Sequence, residues 1–185
     1  MKTRDMAQIS IFAVLMIVGA KIIIPFPLVP ITLQPLVSML AGLLLGSKRG
    51  AASQALYIFM GLIGIPVFTT GGGMGYVLSP TFGYLVGFVA CSWIAGKITD
   101  FYSRGGRAPS KREYLLAAAA GILAAYAIGL VYLYAIANFW LKSGMTLFKV
   151  LSVGFFSAIP GDVIKALVAA MVAERFDRTG IFTNR

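Results

Sequence analysis

Apolar residues fill six stretches of this chain, near residues 7–24, 32–47, 50–66, 79–98, 114–137 and 160–176, and polar residues collect between them. Most of these stretches approach the roughly 20 apolar residues that a helix needs to cross a bilayer. The pattern predicts an all-α integral membrane protein of six transmembrane helices, folded as a single domain over residues 1–185. Gly46-Ser47-Lys48-Arg49-Gly50 reads as a tight helix-to-helix turn between the second and third spans. Pro160-Gly161 interrupts the apolar run from Val150 to Ala173; proline suits the first turn of a helix and is costly in its interior. The sixth span is therefore expected to start at Pro160, with residues 146–158 as a short helix at the outer face.

Two connections differ in kind from the rest. PFPLVPITLQP, residues 25–35, carries Pro25, Pro27, Pro30 and Pro35, which stiffen and extend the backbone. FTTGGGMGYVLSPT, residues 68–81, carries Gly71, Gly72, Gly73 and Gly75, which permit positive φ and close approach. Irregular backbone near membrane depth is tolerated where it is buried in protein or lines a cavity. These two structured outer loops are thus the expected rim of a binding pocket.

Composition agrees with the pattern: 59% of the 185 residues are hydrophobic, 12% are charged, and the mean hydropathy is +0.88. A water-soluble surface needs far more charge. The net charge of +10 does not indicate nucleic acid, because the basic residues lie between apolar segments rather than on a stripe of a soluble domain. With both termini on one side, twelve of the sixteen Lys and Arg fall on that side, only Lys21, Lys142 and Lys149 fall opposite, and Lys165 is intramembrane. The bias places both termini in the cytoplasm. The basic start and apolar run of residues 1–20 lack a small-residue cleavage site, so they read as a retained first span. The loop DFYSRGGRAPSKRE, residues 100–113, reads as a solvated basic linker that lipid headgroups attract.

Chemistry concentrates in one place. Asp162 and Lys165 are ionisable residues in an apolar setting, three apart and hence on one helix face. They form either a structural ion pair or two anchors for a ligand with separated polar ends, Asp162 accepting from N–H groups and Lys165 attracting a carboxylate. Tyr76, Ser79, Thr81 and Tyr84 flank Pro80 on the same face, and Gln34 follows the proline-rich loop. Together with the glycine run, including Gly73, they complete the candidate substrate-binding set. No histidine is present, Cys91 stands alone within an apolar run, and there is no GxxxxGK[ST] phosphate loop. The residues offer no metal site, cofactor site or catalytic constellation, and an intramembrane enzyme would have to work with Asp162 and Lys165 alone.

The blocks PITLQP (30–35), AGLLLG (41–46) leading into KRG (48–50), GLIGIPVF (61–68), GGGMGYVLSPTFGYLVGF (71–88) and PGDVIK (160–165) resemble the BioY family, the biotin-binding S-components of energy-coupling factor transporters. The resemblance runs through essentially the whole chain. It implies a six-helix protein in a prokaryotic cytoplasmic membrane that captures biotin from outside. The implied partners are biotin, membrane lipid, a membrane-embedded coupling protein and two cytoplasmic ATPase subunits that supply the energy. An S-component for another vitamin, or a biotin transporter working without the energising module, are the neighbouring readings. Two departures stand out: Ala7, Ser10 and Ala13 face Ile11, Val14 and Ile17 at the four-residue spacing, so no intact small-xxx-small seam marks a docking face. An additional polar pocket residue is also expected in the third or fourth span, where Val77, Cys91 and Trp93 occupy the neighbourhood instead.

Overall fold

The computed structural model describes residues 2–25, 28–104 and 107–178. Pro27 of the first outer loop and Arg185, assigned above to the cytoplasmic side, lie outside the described residues. The chain is mostly helical: α1 (Thr3–Lys21), α2 (Gln34–Leu62), α3 (Phe82–Tyr102), α4 (Lys111–Ala135), the short α5 (Leu147–Leu151) and α6 (Ile159–Arg178). Two-residue strands β1 (Ile23–Ile24) and β2 (Ile31–Thr32) pair antiparallel to close the loop between α1 and α2. Among the described residues, four stretches are long and apolar enough to cross a membrane: Thr3–Lys21, Phe82–Tyr102, Lys111–Trp140 and Leu147–Asp177.

α2 is one element by hydrogen bonding but two by geometry. Gln34 Nε2 lies 3.0 Å from the hydroxyl of Tyr57, whereas 23 residues of straight helix would separate them by about 35 Å. The reversal falls at Gly46, with φ 77° and ψ 177°, a region that essentially only glycine enters. The expected turn of five residues is therefore concentrated in one, and Ser47 to Gly50 already belong to the second arm. Asp100 of α3 secures this reversal. Its Oδ2 accepts from the Ser47 N–H at 3.1 Å and the Ser47 hydroxyl at 2.9 Å, capping the second arm from outside it.

α3 packs along both arms of α2 and against α4, so it sits at the centre of the bundle. The contact is close enough that a Cβ at Gly96 would overlap the backbone of Gly46 and Ser47. Hydroxyl bonds reinforce it: Ser38 Oγ donates to the Phe88 carbonyl at 3.1 Å, and Ser92 Oγ donates to the Ser38 carbonyl at 2.8 Å. Backbone-level packing with short interhelical hydrogen bonds is how helices associate where lipid offers no hydrophobic driving force. α1 packs on α2 at the periphery. It leaves Ile11, Val14, Leu15 and Val18 half exposed.

The last span begins less abruptly than the proline suggests. α4 runs into a π-turn at Ile136–Trp140, and α5 runs into another at Ser152–Phe156. From Leu147 onward the chain is one nearly continuous helical rod, relaxed by the π-turn and by Ser157 and Ala158 just ahead of Pro160. Pro160 lacks an N–H, and the Asp162 N–H resumes the ladder by donating to the Ala158 carbonyl at 3.0 Å. Ala166, Ala169, Ala170 and Ala173 are buried along α6, which packs between α2 and α4.

The Gly46 reversal generates a test. Gly46→Ala forces a residue with a Cβ into a glycine-only conformation and against Asp100, and is expected to destabilise by about 1–3 kcal/mol. Gly75→Ala, where a Cβ would meet nothing within 4 Å, is expected to be neutral. Thermal unfolding of the detergent-purified variants separates the two.

Candidate functional site

Four helices and both outer loops converge on one cavity. The empty space between its walls is about 610 Å³, with the open solvent at its mouth included. β2 contributes Thr32 and the start of α2 contributes Gln34 and Pro35; the glycine-rich loop contributes Thr69, Tyr76 and Thr81. α3 contributes Tyr84, Leu85 and Phe88, α4 contributes Ile122, Ala125 and Tyr126, and α6 contributes Asp162 and Lys165. The walls are apolar and aromatic; the polar groups stand at separate points on them.

Asp162 and Lys165 are nearly buried, with 5% and 9% of their surface exposed. Lys165 Nζ donates to Asp162 Oδ1 at 2.7 Å, and the Tyr126 hydroxyl donates to Asp162 Oδ2 at 2.6 Å. Both carboxylate oxygens are thus engaged, one by a cation and one by a neutral donor. The pair is neutral as a unit, which makes it tolerable in an apolar surround. It keeps directional capacity: the ammonium has two further protons, and each carboxylate oxygen has a further lone pair. Tyr126 is held edge-on to Phe155 at 4.8 Å and to Tyr84 at 6.3 Å between ring centroids. The orientation of its hydroxyl toward Asp162 follows from that packing.

The remaining polar groups are fixed by their own bonds. Gln34 accepts from the Thr32 hydroxyl at 3.2 Å and donates to the Tyr57 hydroxyl, which in turn donates to the Val67 carbonyl at 3.2 Å. This chain ties the start of α2 to the segment leading into the glycine-rich loop. Tyr76 and Thr81 hydroxyls are 3.2 Å apart across the 3₁₀ turn Met74–Leu78. The Tyr84 hydroxyl donates to the Gly154 carbonyl at 2.9 Å, a group presented by the second π-turn. Such turns free or displace carbonyls that a regular helix would consume.

Of the residues singled out from sequence, Asp162, Lys165, Tyr76, Thr81, Tyr84 and Gln34 all line the cavity. Ser79 stands behind it, its hydroxyl 2.9 Å from that of Thr81. Gly73 is also set back from the wall; its N–H donates to the Gly61 carbonyl at 2.7 Å and anchors the loop. No additional polar or basic residue from the expected third or fourth span reaches the Asp162 carboxylate among the described residues; the polar group that does is Tyr126 of α4. Its signal in the sequence was depth, since a tyrosine in the middle of an apolar span is not an interfacial belt residue. Thr32 and Thr69 were also missed, and short polar side chains in loops carry no comparable signal.

The described residues contain no group of three or more His, Cys, Asp or Glu that could hold a metal ion. The cavity thus carries one ion pair and several tyrosine hydroxyls on otherwise apolar walls. Fold and site together define a multi-pass membrane protein with an internal small-molecule site.

The comparisons specify this class. The sequence profile of the BioY family matches residues 1–181, and the chain belongs to that family. It is 43% identical over 173 residues to a probable biotin transporter BioY of Lysinibacillus sphaericus, covering 94% of this chain and 86% of that one. It is 35% identical to the biotin transporter BioY of Thermotoga maritima, covering 95% and 96%. In three dimensions it resembles the crystal structure of the S-component for biotin from an ECF-type ABC transporter. The TM-score is 0.80 at 26% identity, over 98% of this chain and 97% of that one.

The ion pair yields a stability prediction. Asp162→Asn strands a buried ammonium, and Lys165→Met leaves a buried carboxylate with Tyr126 as its donor. Each is expected to destabilise the empty protein, toward the lower end of the 3–5 kcal/mol typical of a broken buried pair because the cavity mouth admits water. The double variant is expected to recover part of the loss, and unfolding measurements over the four-protein cycle check the coupling.

Proposed function

We propose that this chain captures biotin in the cavity floored by Asp162 and Lys165 and serves as the substrate-binding S-component of an ATP-driven energy-coupling factor transporter. It is a transport subunit rather than an enzyme. The observation that carries the reading is the pairing of a buried carboxylate and ammonium at one end of an otherwise apolar, tyrosine-flanked cavity. Biotin has a bicyclic apolar body, a ureido ring with N–H donors and a carbonyl acceptor, and a chain ending in a carboxylate. Asp162 and Lys165, whose charged atoms lie 2.7 Å apart, suit one polar end of such a molecule together, the carboxylate accepting from N–H groups and the ammonium donating to an oxygen, with Tyr126, Tyr76, Thr81, Tyr84 and Gln34 available to the rest. Ser79 and Gly73 support the rim.

The topology proposed with this function has six spans, because the two arms of α2 on either side of Gly46 each take the place of one. Both termini and the Gly46 reversal then lie on the cytoplasmic side of a prokaryotic cell membrane, and the cavity mouth faces outward. The whole of 1–185 forms one membrane domain. Without a phosphate-binding loop, the chain relies on partner subunits for energy: a membrane-embedded coupling protein and two cytoplasmic ATPases.

Calorimetric titration of the detergent-purified protein with biotin tests the ligand. Asp162→Asn and Lys165→Ala are each expected to weaken binding by about tenfold to a hundredfold, the loss of one charge-assisted hydrogen bond. Unchanged affinity in both folded variants would remove the pair from the site, and binding of thiamine or riboflavin in place of biotin would overturn the substrate. Uptake of labelled biotin by cells that lack any coupling module, at the rate seen with the module, would overturn the need for partners.

A further inference from the structure

The end of the bundle remote from the ligand cavity carries a second concave site that the capture of a vitamin does not use. It is a bowl of about 930 Å³, open to solvent, between the Gly46 reversal of α2 and the last turns of α3. Lys48, Lys97 and Arg104 line it and are exposed, and Ser47 and Ser103 lie among them. Arg49 also reaches the rim, but its guanidinium is bound to Asp5 at 2.9 Å and Gln8 at 3.1 Å. The one acid in the bowl, Asp100, spends an oxygen on both donors of Ser47. Among the described residues, none of Lys48, Lys97 and Arg104 has a carboxylate partner.

Lys97 of α3 and Arg104 in the turn just past it are interleaved with exposed rings. Trp93, Lys97, Phe101 and Arg104 follow each other at helical spacing along one stripe of the helix. Lys97 Nζ lies 5.5 Å from the centroid of Trp93, and Arg104 Cζ lies 5.3 Å from that of Phe101. Trp93 and Phe101 are 48% and 60% exposed. Exposed rings alternating with cations at the end of a spanning helix mark the headgroup level, where apolar and charged surfaces must be met together. A free anion would use only the cations, and a soluble acidic segment would leave the rings in lipid.

We infer that this bowl binds the phosphodiester headgroup of an anionic phospholipid, with Lys48, Lys97 and Arg104 around the phosphate and the acyl chains lying along Trp93 and Phe101. The site is independent of the ligand cavity. It fixes the Gly46 end of the bundle to anionic lipid through ordered contacts, beyond the diffuse attraction of a basic surface.

The test is native mass spectrometry of the full chain, extracted from an equimolar mixture of phosphatidylglycerol and phosphatidylcholine. Selective retention of one phosphatidylglycerol is expected. At a solvent-open site each ordered hydrogen bond from a cation to the phosphate contributes about fivefold to the preference, beyond what a basic residue adds through the diffuse surface field. Lys48→Gln/Lys97→Gln/Arg104→Gln should therefore reduce the phosphatidylglycerol preference by about a hundredfold, with biotin binding retained as the check on folding. Lys2→Gln/Lys111→Gln/Arg112→Gln makes the same charge change elsewhere and should retain most of the preference. An equal loss in that control would assign the selection to the general basic field and overturn the site. Unchanged preference in the first triple, or displacement of the lipid by millimolar inorganic phosphate but not by equal chloride, would overturn it as well. Should the first triple fail to fold, Lys97→Gln alone carries the test through its expected loss of about fivefold.

Discussion

The bond between Lys165 and Asp162 is the constraint around which the site end of this protein is built. Each ion alone in so apolar a setting would be costly, and the pair is tolerable only because each charge is met by its partner and the second carboxylate oxygen by a hydroxyl. That requirement accounts for several features at once. α6 must be covered by α2 and α4 where the two residues lie, and its alanine face lets it come close. Tyr126 must sit at mid-span on α4, where its hydroxyl meets the second carboxylate oxygen. A carboxylate engaged by one cation and one neutral donor is also poised for exchange. An incoming N–H can share Oδ1 or Oδ2, and an incoming carboxylate can share the ammonium, without any charge being left bare.

Much of this site was legible in the sequence because its central residues are anomalies. Asp162 and Lys165 break an apolar run, so their presence demanded an explanation before any fold was known. Gln34, Tyr76, Thr81 and Tyr84 were legible in company, through their nearness to segments too rich in proline and glycine to be helical. Tyr126 was legible only as a tyrosine deep in an apolar run, because its contact with Asp162 spans 36 positions of sequence. Ser79 and Gly73 were drawn in by the same clustering, and they stand one bond behind the wall. Sequence proximity cannot resolve a distance of one hydrogen bond. A mostly helical chain with several spans followed from hydropathy, four of them long and apolar enough to cross a membrane among the described residues, but the joints did not. The reversal at Gly46 depends on a backbone conformation, and the relaxation ahead of Pro160 depends on π-turns that leave no mark in composition.

The bundle is unequal in how firmly its parts are joined, and this inequality decides where it can open. α2 and α3 meet at backbone level, with glycine at the closest approach and serine hydroxyls bonded across the seam. Parting them would break those hydrogen bonds where lipid offers no replacement. The outer segments are held differently: a two-residue strand pair, a 3₁₀ turn, and hydroxyl bonds such as Tyr76 to Thr81. These groups face water at the cavity mouth, so a bond broken there is exchanged for one to solvent at small net cost. Local opening is therefore far cheaper at the rim than along the helix seams. Tyr76 and Thr81 line the same cavity as Asp162 and Lys165, so a change confined to their bonds would widen that cavity without parting the α2–α3 seam or the cap that Asp100 places on the Gly46 reversal.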